Sequence, residues 1–221
     1  MYGDFVNELD YSVGLIIKEL ENLNIIENTL IILSSDNGPE KTAYDRVLHT
    51  GHYSMDGLRG VKRDLWEGGH RVPFIVNWPE RVKASSKNDK TICLVDFMAT
   101  VAEITGYKIE KDEAEDSFSF LNLLGGKSGK TVLREPIIHH SPRGDHAIRK
   151  GDWVYIDAPS GDMNNEPEWF RNELGVKEDS EEFELFNLEE DPRETNNMYS
   201  AMPEKAKELK EKLDSIRSGK Y

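Results

Sequence analysis

The chain has 221 residues, of which 37% are apolar and 32% charged, and its formal net charge is −14 at pH 7. This composition is typical of a folded globular protein rather than a disordered one, and the negative charge argues against a nucleic-acid-binding surface. No apolar stretch reaches the length that spans a bilayer, and Met1 leads into a charged amphipathic segment without the features of a signal peptide. The single cysteine, Cys93, excludes an internal disulfide framework.

The first predicted elements are a helix and a strand. Apolar residues recur at three- and four-residue steps from Phe5 to Leu23, which predicts an amphipathic helix. Gly14 lies inside it, where glycine costs about 1 kcal/mol relative to alanine, so we expect close packing at that point. The run Thr29–Ser35 is short, apolar and rich in β-branched residues, which predicts a buried strand.

The strand is predicted to end at Asp36-Asn37-Gly38-Pro39, because glycine and proline interrupt strands. At the carboxyl end of a strand in an open α/β sheet, a carboxylate and an amide lie where ligands bind. Their oxygens are the ligands that Ca²⁺ or Mg²⁺ takes. An ordinary Asp-Asn-Gly turn is the alternative, and this stretch alone leaves both open.

Residues 39–71 are predicted to form a long loop, because they show little apolar periodicity. A loop of that length in a compact domain is uncommon unless it is functional. It contains a group of basic and histidine side chains, and a local basic pocket in an acidic protein suits a small anion. The alternative is a scattered, solvated face. The group consists of His49, His52, Arg59, Lys62, Arg63, His70 and Arg71.

Regular structure is predicted to resume after this loop. Val72–Trp78 has the pattern of a second core strand. A helix is predicted from Leu94 to Thr105, with Gly106 as its left-handed cap. Residues 107–130 are polar and in places rich in glycine, which indicates a connection between subdomains.

The C-terminal part is predicted to be a small antiparallel sheet with a helix packed on it. Gly144-Asp145 and Gly151-Asp152 supply tight turns between short strands. Residues 158–180 are predicted to be an irregular acidic insertion. Apolar residues from Ala206 to Ile216 predict a closing amphipathic helix. The strands are expected at 136–140, 147–149, 153–156 and 183–186.

Four motifs follow one another along most of the chain. Ser-Asp-Asn-Gly after the first strand is followed by Arg59-Gly60-Val61-Lys62, by Glu67-Gly68-Gly69-His70-Arg71-Val72-Pro73-Phe74 and by Trp78-Pro79. The segments 9–14, 27–30 and 184–197 belong to the same series. In this collinear order the chain resembles the type I sulfatases of the alkaline-phosphatase-like superfamily. Each motif is weak alone, and together they are a strong signal.

The resemblance implies an α/β fold, in which an alkaline-phosphatase/sulfatase-like sheet with helices precedes a small C-terminal antiparallel sheet with a packed helix. Residues 1–106 would be the C-terminal part of the catalytic domain, 107–130 a connection and 131–221 an α+β subdomain. The implied activity is metal-dependent hydrolysis of a sulfate ester, with a small anionic substrate such as a sulfated glycan. Members of the family are often secreted, periplasmic or lysosomal, and the sequence leaves the localisation of this protein open.

The resemblance also implies a metal and anion site. Asp36 and Asn37 match the acidic–amide pair with which the family binds Ca²⁺, or Mg²⁺ in some accounts. Such a cation would neutralise charge on the sulfate oxygens. Lys62, in the Arg-Gly-x-Lys motif, matches the lysine with which the family contacts sulfate. An ammonium group is a compact charge with three donors, which suits an oxyanion. Outside this motif, a lysine is more often a solvated surface group.

Three further residues are candidates for the substrate site. His52 would contact the substrate or protonate the leaving alcohol, although loop histidines are often only polar surface groups. Arg59 and His70 would line the site. For the stretch Glu67–Gly69, a tight packing turn is the favoured interpretation, with Arg71 paired to an acid.

The nucleophile of the family is a formylglycine made from Cys or Ser in Cys/Ser-x-Pro/Ala-x-Arg. Cys93 is followed by Leu-Val-Asp-Phe, which does not fit, and the early acidic pair of the family is absent as well. The sequence is therefore interpreted as the C-terminal part of a sulfatase, with formylglycine expected in an N-terminal part. Alone, the chain is expected to be inactive and to self-associate through uncovered strands. A phosphatase or phosphonate-ester hydrolase of the same superfamily, or a non-catalytic anion-binding remnant, are the alternatives.

Overall fold

The computed structural model describes residues 2–125 and 136–219. It confirms the predicted α/β class, with helices and antiparallel sheets. The helices are α1 (Tyr2–Asn22), α2 (Thr42–Thr50), α3 (Glu67–His70), α4 (Phe97–Thr105), α5 (Leu121–Leu124), α6 (Glu168–Leu174) and α7 (Pro203–Arg217). The strands are β1 (Ile31–Ser34), β2 (Phe74–Asn77), β3 (Ile137–His140), β4 (His146–Lys150), β5 (Trp153–Ile156) and β6 (Glu184–Asn187).

The chain divides into two compact units. Unit 1 consists of Met1–Ser34 and Pro73–Leu133, and unit 2 consists of Ser35–Val72 and Arg134–Tyr221. The segment with the candidate site residues therefore groups with the C-terminal sheet. The domain boundaries predicted from the sequence, at residues 106 and 131, divide the chain differently from this grouping. They stay a prediction. None of the described helices is both long and apolar enough to cross a membrane.

Unit 1 contains a two-stranded sheet. β1 pairs antiparallel with β2, so that Ile31 lies opposite Asn77 and Ser34 opposite Phe74. The strands form where they were predicted, but each is shorter than expected. The side chains of β1 are half-buried instead of buried, because two strands alone cover little of each other's surface.

Helix α1 forms as predicted, but its packing differs from expectation. Val13, Ile17 and Leu20 are half-buried, and none of the side chains described in α1 is fully buried. The expected close packing at Gly14 is wrong, because a Cβ atom there would meet nothing within 4 Å.

Both ends of helix α4 are set by residues next to it in the chain. A 3₁₀ turn over Leu94–Asp96 precedes it, and the Asp96 carboxylate accepts hydrogen bonds from the backbone amides of Cys93 at 2.8 Å and Phe118 at 3.1 Å. The helix ends at Gly106, whose φ of 73° confirms the predicted left-handed cap. The thiol of Cys93 is free, and the residue is half-buried.

Unit 2 is built on a four-stranded antiparallel sheet in the order β3-β4-β5-β6. Gly144 and Gly151 have φ angles of 91° and 60° and lie in the predicted turns. One sheet face packs against α7, as the periodicity of the closing helix predicted. The buried residues of this layer are Ile148, Tyr155, Leu185, Ala206, Leu209 and Leu213.

The opposite face of this sheet packs against two residues that lie about 80 to 120 positions before their partners in the chain. Leu65 and Trp66 are each 1% exposed and lie in one core with side chains from β4, β5 and β6. Strand alternation places these partners on the face away from α7. The sheet partners are Ala147, Val154, Ile156 and Phe186.

The prediction of a continuous loop over residues 39–71 is wrong, because α2 occupies Thr42–Thr50. Ala43, Tyr44 and Val47 are buried on one side of α2, in a cluster that also contains Phe170 of α6. The insertion over residues 158–180 is likewise not wholly irregular, since it contains α6. Both helices are amphipathic and short, and burial against each other stabilises them more than intrinsic propensity would.

Candidate functional site

The segment with Asp36 and Asn37 is held to two other candidate motifs by backbone hydrogen bonds. The Gly38 amide donates to the Gly69 carbonyl at 2.9 Å. The Lys62 amide donates to the Pro39 carbonyl at 2.8 Å. Segments far apart in the chain are thereby brought side by side within unit 2.

The donor set at Asp36 and Asn37 fits a hard cation only in part. Asp36 is exposed and Asn37 half-buried, and the Asn37 amide group donates to the Gly38 carbonyl at 2.9 Å. Across residues 2–125 and 136–219, no group of three or more His, Cys, Asp or Glu side chains is placed to hold a metal. The pair would supply two oxygens of the six to eight that Ca²⁺ takes, and other groups must complete the shell.

The Lys62 ammonium group forms an exposed ion pair. It lies 3.0 Å from Glu40, which also pairs with Arg63 at 3.1 Å. Hydrogen bonds from Arg63 and Lys62 lower the pKa of Glu40. The side chains of Lys62 and Glu40 are 34% and 47% exposed, and an ion pair in water contributes little free energy. An anion can therefore compete with Glu40 for the ammonium group.

The stretch Glu67–Gly69 packs tightly, as the favoured interpretation predicted, but it forms the single helical turn of α3. A Cβ atom on Gly68 would lie 2.3 Å from the Gly60 carbonyl oxygen, and one on Gly69 would lie 2.3 Å from that of Asp64. A Cβ on Gly38 would lie 1.9 Å from the Gly68 carbonyl oxygen. Only glycines allow the backbone segments to approach so closely.

The Glu67 carboxylate is buried among three positively chargeable groups. Arg149 of β4 donates to both of its oxygens at 3.1 Å, Arg71 lies at 3.3 Å and His70 at 3.5 Å. Burial raises the pKa of Glu67, but the hydrogen bond from His70 and the charges of His70, Arg149 and Arg71 outweigh it and lower the pKa to about 2. The prediction that Arg71 pairs with an acid is confirmed, and the turn is anchored to the sheet.

His70 lies between this carboxylate and a second histidine. Its ring is 4.0 Å from the ring of His139, centroid to centroid. His139 is held at Nε2 by the Leu65 carbonyl at 3.0 Å, and burial, followed by the charge of His70, lowers its pKa to about 3. His70 Nδ1 is a buried atom without a hydrogen-bond partner among the residues that the structure describes.

Arg59 and His52 occupy different environments. The buried Arg59 guanidinium pairs with Glu166 at 3.0 Å, donates to the Glu194 carbonyl at 2.9 Å and stacks 3.6 Å above the Trp66 ring. These contacts give Arg59 a packing role, and its expected contact with substrate stays a prediction that they do not support. His52 is exposed just after the end of α2, where a ligand in solvent can reach it.

Comparison with known proteins identifies the family. Residues 1–107 match the family model for Sulfatase. An N-acetylgalactosamine-6-O-sulfatase of Bacteroides thetaiotaomicron is 35% identical over 98% of this chain and 42% of its own length. The chain belongs to the sulfatase family, within the alkaline-phosphatase-like superfamily. A human steryl-sulfatase is also similar, with 36% identity over 67% of this chain and 25% of its own length.

Solved structures of related proteins show the same fold. A Bacteroides thetaiotaomicron protein from work on the metabolism of multiple glycosaminoglycans superposes with a TM-score of 0.78 at 32% identity, over 98% of this chain and 44% of that one. The phosphonate monoester hydrolase of Agrobacterium radiobacter superposes with a TM-score of 0.66 at 17% identity, over 98% of this chain and 40% of that one, which shows likeness of fold alone. The sulfatase-family chain thus spans less than half the length of these proteins.

Two buried carboxyl groups, those of Glu184 and Glu194, were not predicted from the sequence. Glu184 accepts hydrogen bonds from the Trp66 indole at 3.0 Å and from the Gly161 amide at 2.8 Å. Glu194 accepts one from the Glu67 amide at 2.7 Å. Burial raises the pKa of Glu184 to about 7 and that of Glu194 well above its usual range. The resemblance of residues 184–197 to the family was the available signal, but it did not indicate which residues they contact.

Glu67→Gln is expected to destabilise unit 2 by about 3 kcal/mol, because it leaves the Arg149 guanidinium beside a neutral amide in a buried site. Urea unfolding followed by tryptophan fluorescence measures the loss. The control is Glu208→Gln, which removes an exposed carboxylate 2.8 Å from Lys150 and should cost less than about 1 kcal/mol. Equal losses in the two variants would show that Glu67 is not the anchor of the turn.

Glu184→Gln is expected to change how stability depends on pH. The folded pKa of about 7 lies above the ordinary value of 4.5, so the folded state keeps a proton that the unfolded state releases between these pH values. The contribution of Glu184 to wild-type stability should therefore fall as pH rises through this window. The variant keeps an oxygen acceptor for Trp66 and does not titrate.

The stability of Glu184→Gln relative to wild type should therefore rise between pH 4.5 and pH 7.5. The expected gain is on the order of 3 kcal/mol. Urea unfolding of both proteins at the two pH values measures it. A difference that is independent of pH would contradict the assignment of Glu184 as the titrating group.

Proposed function

We propose that this chain carries the sulfate-binding part of a sulfuric ester hydrolase. The observation that carries the proposal is the pair of backbone hydrogen bonds that joins segment 36–39 to Lys62 and to Gly69. The motifs that the family uses to bind a cation and a sulfate group are thereby held as neighbours. The 35% identity to an N-acetylgalactosamine-6-O-sulfatase supports a sulfated sugar as the substrate class.

Lys62 would bind the sulfate group directly. Its ammonium group is partly exposed, and within residues 2–125 and 136–219 its ion-pair partner is the solvated carboxylate of Glu40. A sulfate ester offers three oxygens to this donor, and charge that develops on them during hydrolysis would be stabilised by the fixed ammonium. His52 would donate a proton to the departing alcohol oxygen through its exposed imidazole.

Asp36 and Asn37 would hold a Ca²⁺ or Mg²⁺ ion through one carboxylate and one amide oxygen. When bound, such an ion neutralises negative charge on the sulfate oxygens. The remaining oxygen ligands and the formylglycine nucleophile would come from the part of a sulfatase domain outside these 221 residues. The sequence around Cys93 does not match the motif that matures to formylglycine, so the chain alone would bind an anion without turning it over.

The isolated chain is expected to hydrolyse no sulfate ester, even with Ca²⁺ added. An aryl sulfate and N-acetylgalactosamine 6-sulfate are suitable test substrates, and release of sulfate is the measurement. Turnover that follows the protein through purification would contradict the proposal, because it would require a nucleophile within this sequence.

In a complete enzyme, with the rest of the domain and a matured formylglycine, Asp36→Ala should abolish cation-dependent turnover. Lys62→Ala should lower kcat/KM by roughly 10²–10³, the usual cost of losing one charge-stabilising donor. The control is Arg63→Ala, which removes the other exposed partner of Glu40 and should leave kcat/KM within a few-fold. If Lys62→Ala and Arg63→Ala behave alike, Lys62 does not bind the sulfate group.

A further inference from the structure

Two histidines face each other across the hairpin that joins β3 and β4. His140, the last residue of β3, is the register partner of His146, the first residue of β4. Residues directly opposite each other in an antiparallel pair have their side chains on the same face of the sheet. The centroids of the two rings are 5.8 Å apart. His140 is exposed and His146 half-buried, so a solute can reach the pair from solvent.

A backbone contact fixes which nitrogen of His140 is available to a ligand. Nδ1 lies 3.0 Å from the carbonyl oxygen of Ser141. Because a carbonyl oxygen can only accept, Nδ1 of the neutral ring donates its proton there, and Nε2 carries the free lone pair. Histidines that bind metals are commonly oriented in this way, with one ring nitrogen donating to a carbonyl while the other binds the ion.

The hairpin holds the two rings together before any ligand binds. The Ser141 amide donates to the Asp145 carbonyl at 2.8 Å, and the Gly144 amide donates to the Ser141 carbonyl at 2.9 Å. The Ser141 hydroxyl donates to the Asp145 carboxylate at 3.1 Å and accepts from the amides of Arg143 and Asp145. A site whose groups are already in place loses less conformational entropy when it binds.

The spacing of the rings suits one metal ion. Imidazole nitrogens bind Zn²⁺ at about 2.0–2.1 Å, so two imidazoles on one tetrahedral ion have centroids roughly 5 Å apart. The observed distance of 5.8 Å is close to this, and a small rotation of the exposed His140 ring would close the difference. Imidazole is a preferred ligand of Zn²⁺, Cu²⁺ and Ni²⁺, whereas Ca²⁺ and Mg²⁺ take oxygen ligands.

We propose that His140 and His146 bind one divalent transition-metal ion of this imidazole-preferring class, which bridges β3 and β4. Water would complete the shell, because no group of three or more His, Cys, Asp or Glu side chains in the described part of the chain is placed to hold a metal. By binding the folded state, the ion would stabilise the pairing of β3, an edge strand of the four-stranded sheet. The residues and the ligand type both differ from those of the cation site proposed at Asp36 and Asn37, so the inference does not rest on the proposed function.

The test is a calorimetric titration of the full chain, without a histidine tag, with ZnCl₂ in the presence of excess CaCl₂. One Zn²⁺ ion is expected per chain. A partner that only orients a metal ligand is worth about 10–100-fold in metal affinity, so loss of a ligand itself, in His140→Ala or His146→Ala, should weaken binding at least about tenfold. The control His49→Ala removes an exposed histidine of α2 and should bind Zn²⁺ as the wild type does.

Three results would overturn the proposal. The first is a wild-type chain that binds no Zn²⁺. The second is binding by His140→Ala and His146→Ala that is as tight as that of the wild type. The third is one ion shared by two chains in a zinc-dependent dimer, because the histidines would then join copies rather than strands. None of these measurements reads sulfate release, so their outcome is independent of the proposed function.

A measurement on the wild-type chain keeps the proposal testable if a variant fails to fold. Long-range proton–nitrogen NMR correlations report the ring nitrogens of the six histidines. Zn²⁺ is expected to shift Nε2 of His140 and a ring nitrogen of His146, and to leave those of His49 in place. Unchanged signals from both His140 and His146 would show that the pair does not bind the ion.

Discussion

The structure of unit 2 depends on one buried carboxylate, that of Glu67, and on the positive charges around it. Arg149 reaches it from the C-terminal sheet, while Arg71 and His70 reach it from its own segment. A buried charge of this kind is stable only with such partners. The glycines after Glu67 let three backbone segments meet without Cβ atoms. The positions of segment 36–39 and Lys62 follow from this packing.

Buried carboxylates in this unit have opposite pKa shifts, and their surroundings explain the difference. Burial raises the pKa of all three acids, Glu67, Glu184 and Glu194. Glu67 has several positively chargeable groups within hydrogen-bonding or ion-pair distance, which lower its pKa more than burial raises it. Among the described residues, Glu184 accepts hydrogen bonds from an indole and a backbone amide, and the charge of Arg59 lowers its pKa less than burial raises it. For these three acids, the balance between burial and nearby positive charge therefore decides the direction of the pKa shift.

The two units differ in how far they can bury their own apolar surface. Unit 2 covers both faces of its sheet, one with α7 and the other with Leu65 and Trp66. In its described part, unit 1 has two strands and the 21-residue helix α1, in which no described side chain is fully buried. This contrast agrees with a chain that spans 42% of the length of a related sulfatase. The proposed sulfate-binding residues all lie in unit 2, which has the larger core.

The sequence by itself determined the elements that have a clear period and an obvious end. These include the strand before Asp36, the helix that ends at Gly106, the antiparallel strands and the closing helix. The order of the motifs also determined the family. Tertiary structure alone decided the position of α2, because its buried side chains pack in one cluster with Phe170, which lies more than a hundred residues later in the chain. It likewise decided that Arg59 pairs with Glu166, since a motif specifies a residue type and only the packed chain specifies its partners.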